Sequence, residues 1–419
     1  MNGYHSQAEW KYIPRFITPI LQSALREHPV VVVTGARQVG KSTLLQYAAP
    51  TCDWPILSMD ELDVLDQAQR DPTALLFGKS QLILDEIQRA PQLLSEIKRA
   101  VDQDHRKNRF VLSGSANLLL MEHVSETLAG RAVFMTLDSM TMRETVGQPM
   151  TGILENLIKT AAWPEEGRTE AEMSSLPALV MRGFLPPVLF LSSASSVTQW
   201  WEGYVSTFLE RDLRSVSRID SLPDFRRFMT ALALRSGRML NQTEIARDIA
   251  VPQPTLHRYT NLLEVMCLLH RLPVYATNPT KRLMKTPKIY WSDAGLATYL
   301  AGYYDVTALT EAREWGALFE TLVFQHLRVW SSLQIPKARL YYWRTTTGKE
   351  VDFIIEHGRR LLAIEVKASE QIRYQDLQGL KLFLDEYPDQ TIAAILVHAG
   401  TEIKRMGEKI IAIPWHQIC

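Results

Sequence analysis

The chain has 419 residues, no formal net charge at neutral pH and 46% hydrophobic residues. That is length for about two to four domains and apolar content enough for packed cores. A uniformly basic nucleic-acid binder is excluded, so any such contact must come from local patches. Cys52, Cys267 and Cys419 are too widely spaced for a metal knot or a disulfide framework, which fits a reducing cytosol. The first ten residues hold no apolar leader core, and the longest apolar stretch, near 179–191, is broken by Arg182 and two prolines. The expectation is a cytoplasmic protein that does not enter a membrane.

Val30–Val33 is a run of β-branched residues and reads as a buried parallel strand. It leads into Gly35, Ala36, Arg37, Gln38, Val39, Gly40, Lys41 and Ser42, spelling G-x-x-x-x-G-K-S, and a helix opens at Thr43. Strand, glycine loop and helix form the context this phosphate-cradling motif needs: backbone N–H groups approach phosphate oxygens and the helix N-terminus adds positive potential. Lys41 would reach the β- and γ-phosphates, and the Ser42 hydroxyl would ligate Mg²⁺. A second apolar strand, 81–84, ends in Asp85 and Glu86. Asp85 would hold Mg²⁺ through water and Glu86 would polarise the attacking water. A third, 109–112, runs into Ser113, Ser115 and Asn117, candidates to touch the γ-phosphate, with Ser115 favoured. A helix over 118–129 then leads to Gly130 and Arg131. Arg131 either reaches a neighbouring subunit's nucleotide or complements its own helix dipole. Strands near 30–34, 55–59, 81–85, 109–113 and 132–137, alternating with helices, predict a parallel three-layer αβα domain over 1–150. One of these helices, around 91–101, puts Leu94, Ile97 and Val101 on one face.

Residues 151–178 read as a polar linker or surface loop, and a long helix is expected from Trp200 to Leu213. Over 241–270 a short helix, a Val251-Pro-Gln-Pro254 turn and a second helix have the spacing of a winged helix-turn-helix. Gln253, Thr255, His257 and Arg258 on the second helix could meet DNA, or the unit could serve only as a packing module. Residues 151–284 are taken as this helical and winged-helix middle.

The rest of the chemistry lies in 285–419. A mostly apolar helix, 316–327, carries one acid, Glu320, and a buried carboxylate needs a partner or a metal. A hairpin around Thr347-Gly348 presents Asp352, and the next strand presents Glu365 and Lys367, giving D-x₁₂-E-x-K. On a strand, Glu365 and Lys367 share a face, where Asp352 can meet them. Two carboxylates and Glu320 would share Mg²⁺ while the lysine activates water for phosphodiester attack. The alternative is a cross-strand salt bridge.

The set G-A-R-Q-V-G-K-S, L-I-L-D-E-I-Q, L-S-G-S-A-N and L-A-G-R resembles AAA+ ATPases of the AAA_14 type, usually fused to a DUF4143-type C-terminal region. The resemblance covers essentially the whole chain. It implies ATP as ligand, Asp85 on the metal side, Glu86 as the catalytic acid, and a homo-oligomer, by family habit a hexameric ring. Glu210-Arg211-Asp212 matches the family's R-D-L segment, and Lys288-Ile-Tyr-Trp-Ser-Asp293-Ala-Gly295-Leu its K-x-Y-x-x-D-x-G-L signature, expected to be structural. Arg182 stands where the family has the first glycine of G-G-F-P. The C-terminal constellation resembles the PD-(D/E)xK restriction-endonuclease-like superfamily. Two functions are therefore expected in competition. One is an ATP-driven motor on DNA with a metal-dependent endonuclease domain. The other is an ATP-switched regulator with a non-cleaving C-terminal domain.

Overall fold

Four consecutive valines make β1 (Val30–Thr34), buried along its whole length because both faces of a parallel sheet are covered by helices. β1 lies inside a five-stranded sheet with β2 (Ile56–Ser58), β3 (Gln81–Asp85), β4 (Arg109–Ser113) and β5 (Ala132–Thr136). The order is β2-β3-β4-β1-β5, and every pairing is parallel. Leu94, Ile97 and Val101 of the helix Leu93–Gln103 are buried, as their spacing predicts, and join the core of Val30, Val32, Leu82, Leu84 and Phe110. The sheet bears out the three-layer expectation. Its order reverses beside β1, and in such sheets ligands bind at the strands' carboxyl ends beside the reversal.

This computed structural model describes residues 12–104, 106–114, 124, 126–169, 175–209, 221–278, 280, 282 and 285–418. The chain divides into two units. One comprises Met1–Met140, Leu185–Leu191 and Val265–Cys267; the other comprises Thr141–Phe184, Ser192–Glu264 and Leu268–Cys419. Among the described residues no helix is long and apolar enough to cross a membrane.

The second unit corrects the reading of 151–178 as linker. Ile153–Thr160 is a helix with Leu154, Leu157 and Ile158 buried, and β6 (Gly167–Arg168) pairs antiparallel with a C-terminal strand. Nearby, the Arg405 guanidinium lies 3.7 Å from the centre of the Trp163 ring. The polar residues around these contacts hid them. The helix expected from Trp200 to Leu213 is instead Ala194–Gly203 followed by a π-helical stretch, Tyr204–Leu209. Glu210, Arg211 and Asp212 lie outside the described residues.

Helices Leu222–Ala233, Gln242–Asp248 and Gln253–Val265 precede β7 (Leu269–Leu272), which pairs antiparallel with β8 (Lys288–Trp291). This β7–β8 pair follows the three helices and straddles the expected boundary at 284/285, so middle and C-terminal regions interlock. The remaining strands are β9 (Arg339–Arg344), β10 (Glu350–His357), β11 (Arg360–Lys367), β12 (Thr391–His398), β13 (Glu402–Arg405) and β14 (Ile410–Pro414). With β6 they form a seven-stranded mixed sheet, ordered β6-β13-β14-β12-β11-β10-β9. The long helix Trp315–Leu333 packs on it with Leu318, Phe319, Leu322 and Val323 buried.

Candidate nucleotide and carboxylate sites

The loop after β1 turns back on itself through two glycines. Gly35 has φ 146°, and a Cβ there would stand 2.2 Å from Leu137 O; Gly40 sits at φ 93° immediately before the helix Lys41–Tyr47. Neither place tolerates a side chain without strain, which is why the motif fixes glycine at both. Lys41 is 7% exposed and donates to its own loop at Gly35 O and Ala36 O, both at 3.0 Å. Burial pushes its ammonium below the ordinary lysine range, against the pull of Glu86 and Asp85.

Ser42 Oγ donates to Asp85 Oδ2 at 2.7 Å, and Ser113 Oγ donates to Asp85 Oδ1. Hydroxyl and carboxylate therefore converge, and this donor set fits Mg²⁺. Glu86 follows in the left-handed region, φ 52° and ψ 40°, an uncommon conformation for a residue with a side chain, seen often at functional sites. Burial raises its carboxyl above the usual range, opposed by Lys41, and Gln88 Nε2 donates to its Oε2. A cavity of about 530 Å³ opens here, lined by Lys41, Ser42 and Glu86 and, among its apolar residues, by Tyr12, Pro186 and Phe190. Arg37, Gln38 and Thr43 also line it. Ala36 and Val39 of the loop are buried. Ser115 and Asn117 lie outside the described residues. Arg131, ahead of β5, donates Nε to Asp102 of its own unit at 2.6 Å and Nη1 to Ala129 O at 3.0 Å.

Sequence reasoning missed Arg15, Tyr12 and the 185–191 segment here. Arg15 is 6% exposed and clamps the loop from outside the motif, donating to Val39 O at 2.9 Å and Asp138 O at 2.7 Å. No local pattern marks it.

On the helix Gln253–Val265, Gln253, His257 and Arg258 are exposed and Thr255 is half-buried, while Leu256, Tyr259, Leu262 and Leu263 face the interior. His257 Nε2 meets Asn261 Nδ2 at 3.1 Å.

The C-terminal site departs from expectation. Asp352 and Glu365 do approach across β10 and β11: Asp352 Oδ2 accepts the Val366 N–H at 2.9 Å, and Lys367 Nζ donates to Glu365 Oε1 at 2.6 Å. Between Glu320 and Asp352, however, lies Lys288 of β8, 2% exposed. Its ammonium is 3.2 Å from Glu320 Oε1, 3.2 Å from Asp352 Oδ1 and 3.3 Å from Glu350 Oε1. Nζ donates to Glu320 and Asp352, and Glu350 adds an ion pair. Tyr290 OH also donates to Glu320 Oε1.

Burial alone would lower the Lys288 pKa, but Glu320, Tyr290, Asp352 and Glu350 outweigh it and hold it well above the usual range. Burial first and Asp352 second push Glu320 up to about 7 and Glu365 up to about 8. Glu365 Oε2 is buried without a hydrogen-bond partner among the described residues. Both Asp352 oxygens are engaged, and among the described residues no three His, Cys, Asp or Glu side chains are arranged to hold a metal. A divalent metal on Glu320, Asp352 and Glu365 does not fit this arrangement. The K-x-Y signature, expected to be structural, supplies Lys288 and Tyr290 to the cluster. Its Asp293 does act structurally, accepting the Phe184 N–H at 2.9 Å and the Gly295 N–H at 2.8 Å.

The family described as AAA domain (AAA_14) matches residues 27–146, that of DUF8612 matches 173–307 and that of DUF4143 matches 315–418; the latter two are described as domains of unknown function. The uncharacterized proteins Mb2031c of Mycobacterium bovis and Rv2008c of Mycobacterium tuberculosis are each 32% identical over 403 residues, covering 95% of this chain and 82% of theirs. The chain belongs to the AAA_14/DUF4143 ATPase family. Among solved structures, the Walker-type ATPase PABY2304 of Pyrococcus abyssi is 17% identical with TM-score 0.45, covering 69% of this chain and 96% of that one. The Thermotoga maritima RuvB Holliday junction branch migration motor is 18% identical with TM-score 0.30, covering 62% and 90%. At these scores neither carries an argument. Sheet order, loop geometry and family membership together make the protein a P-loop ATPase that binds ATP.

Proposed function

We propose that this ATPase turns ATP hydrolysis into work on nucleic acid, gripped by the helix Gln253–Val265. The observation that carries the reading is that helix's two-sidedness: apolar residues close its inner face while Gln253, His257 and Arg258 stand in solvent around Thr255. In winged helices this is the helix that enters the major groove. ATP would lie with its base against Tyr12, Pro186 and Phe190 and its phosphates on the loop and Lys41. Ser42 and Asp85 would hold Mg²⁺, which supplies charge neutralisation at the phosphates when bound. Glu86, restrained by Gln88, would take the proton of the attacking water. Arg131 would serve a neighbouring copy's nucleotide in a homo-oligomer, a ring of six by family habit, after leaving Asp102. The test is binding of duplex, forked and four-way-junction DNA across a salt series, with ATP turnover measured alongside. Salt-sensitive affinity and DNA-stimulated turnover are expected. Turnover indifferent to every DNA, with no salt-sensitive binding, would overturn the reading.

A second reading is an ATP-switched regulator whose C-terminal region binds and does not cut. Lys288 among the carboxylates favours that non-cleaving half of it. A metal-dependent endonuclease at Asp352, Glu365 and Lys367 has the residues but lacks a free carboxylate set. Labelled DNA with Mn²⁺, beside Lys367→Ala, checks it directly; cutting that disappears in the variant would restore the nuclease.

A further inference from the structure

We infer that Lys288 is the resident cation of the C-terminal carboxylate cluster, excluding a divalent metal from it and fastening the winged-helix hairpin to the seven-stranded sheet. Two elements bring the three acids: Glu320 from the long helix, and Glu350 and Asp352 from β10. The lysine comes from β8, the second strand of the hairpin. Its ammonium lies nearly equidistant from all three carboxylates, at 3.2–3.3 Å.

A Mg²⁺ bound to Glu320 Oε1 and Asp352 Oδ1 would need oxygens at about 2.0–2.1 Å in a near-octahedral shell. Those same oxygens already face Nζ, so the metal and the ammonium compete for one place. The second oxygen of Asp352 is held by the Val366 N–H. Lys288 cannot swing out as an exposed lysine does: Ile289, Tyr290 and Trp291 beyond it on β8 are each 0% exposed. The aromatic rings of Tyr290, Phe324 and Phe353 pack against one another beside the cluster, Tyr290 stacked on Phe324 at 4.3 Å. The acids of a nuclease-like motif are thus retained as the sockets of an internal clamp. This inference does not depend on whether the winged helix grips nucleic acid.

The test uses the full chain carrying Asp85→Asn, which silences metal binding at the nucleotide site, titrated with Mn²⁺ alone while free Mn²⁺ is read by electron paramagnetic resonance. The parent is expected to bind no Mn²⁺ at the cluster. Adding Lys288→Ala should create one Mn²⁺ site, which Asp352→Asn then removes. A parent that binds Mn²⁺ and loses it on Asp352→Asn overturns the inference. So does a folded Lys288→Ala chain that gains no site. If Lys288→Ala fails to fold, Asp352→Asn in the parent decides. A clamp predicts a lower Tm that Mn²⁺ does not change. A metal site predicts a higher Tm without metal, from relieved repulsion, and a Mn²⁺ response in the parent that the variant lacks.

Discussion

Two buried lysines, Lys41 and Lys288, each stand among carboxylates, and the chemistry of the two places is opposite. Lys41 is pushed below the ordinary lysine range because burial outweighs its acidic neighbours. Lys288 is held well above it because its acidic surroundings outweigh burial. The first lysine is short of negative charge beside an open cavity and fixed loop glycines, so an incoming phosphate completes it. The second already has three carboxylates around its ammonium. Electrostatic completeness, more than the presence of acids and a lysine, separates a ligand site from a clamp.

The comparison breaks most easily at the nucleotide site. Lys41→Ala should lower ATP turnover by roughly 10²–10³-fold, the scale of losing one preorganised donor to developing charge, with the melting transition little changed. Glu86→Gln should match it or exceed it, since a general base contributes about 10²–10⁴-fold. Steady-state phosphate release checks both, and normal turnover in either would remove the residue from its assigned role. At Lys288 the effects should reverse. Lys288→Ala leaves buried carboxylates uncompensated, which costs about 3–5 kcal/mol. Urea unfolding of the second unit should record that loss. A loss below about 1 kcal/mol, the scale of an exposed ion pair, would show the clamp to be loose.

Acidity sharpens the contrast further. Glu320 and Glu365 have folded values of about 7 and about 8, against 4.5 for a free glutamate, from burial first and Asp352 second. Both are raised, so the folded state holds protons that the unfolded state releases. Their contribution to stability is fully present below the unfolded value and is lost as pH rises through the folded values. The Tm of the second unit should therefore fall between about pH 5 and pH 8, and Glu365→Gln, neutral throughout, should flatten that fall. A Tm that rises over this window would mean both carboxyls are ionised and better paired than the geometry indicates.

The difference between the two sites also explains what was legible in the sequence. The nucleotide loop is contiguous, and its glycines are required by local backbone geometry, so Gly35 to Ser42 could be read directly. Val30–Val33 and the Leu94, Ile97, Val101 spacing likewise record a buried strand and an amphipathic helix within a few residues. Asp352, Glu365 and Lys367 were legible because strand alternation puts them on one face. Lys288 was not recognised as part of their site because it arrives from another supersecondary unit, 64 residues before Asp352. No local period encodes a contact of that kind. Arg15 escaped for the same reason, reaching 123 residues along the chain to Asp138. The helix Ile153–Thr160 was a different failure: its apolar spacing was visible, but the polar residues following it outweighed the pattern.

The smallest expected effect lies on the exposed cation of the helix Gln253–Val265, and it tests whether a cation's contribution tracks its burial. Arg258 is solvent-facing, so its removal should leave stability within about 0.5 kcal/mol, as at other surface positions. If the helix meets DNA through phosphates, Arg258→Ala should weaken binding about equally on all sequences and reduce the salt slope by about 1. If Arg258 reads a base edge, the loss should concentrate on particular sequences, at about 1–3 kcal/mol. An unchanged slope together with unchanged affinity would take this arginine out of the interface and leave Gln253 and His257 to carry the contact. Such a pair would bind with little dependence on salt, because the guanidinium that pairs with phosphate would not be part of the contact.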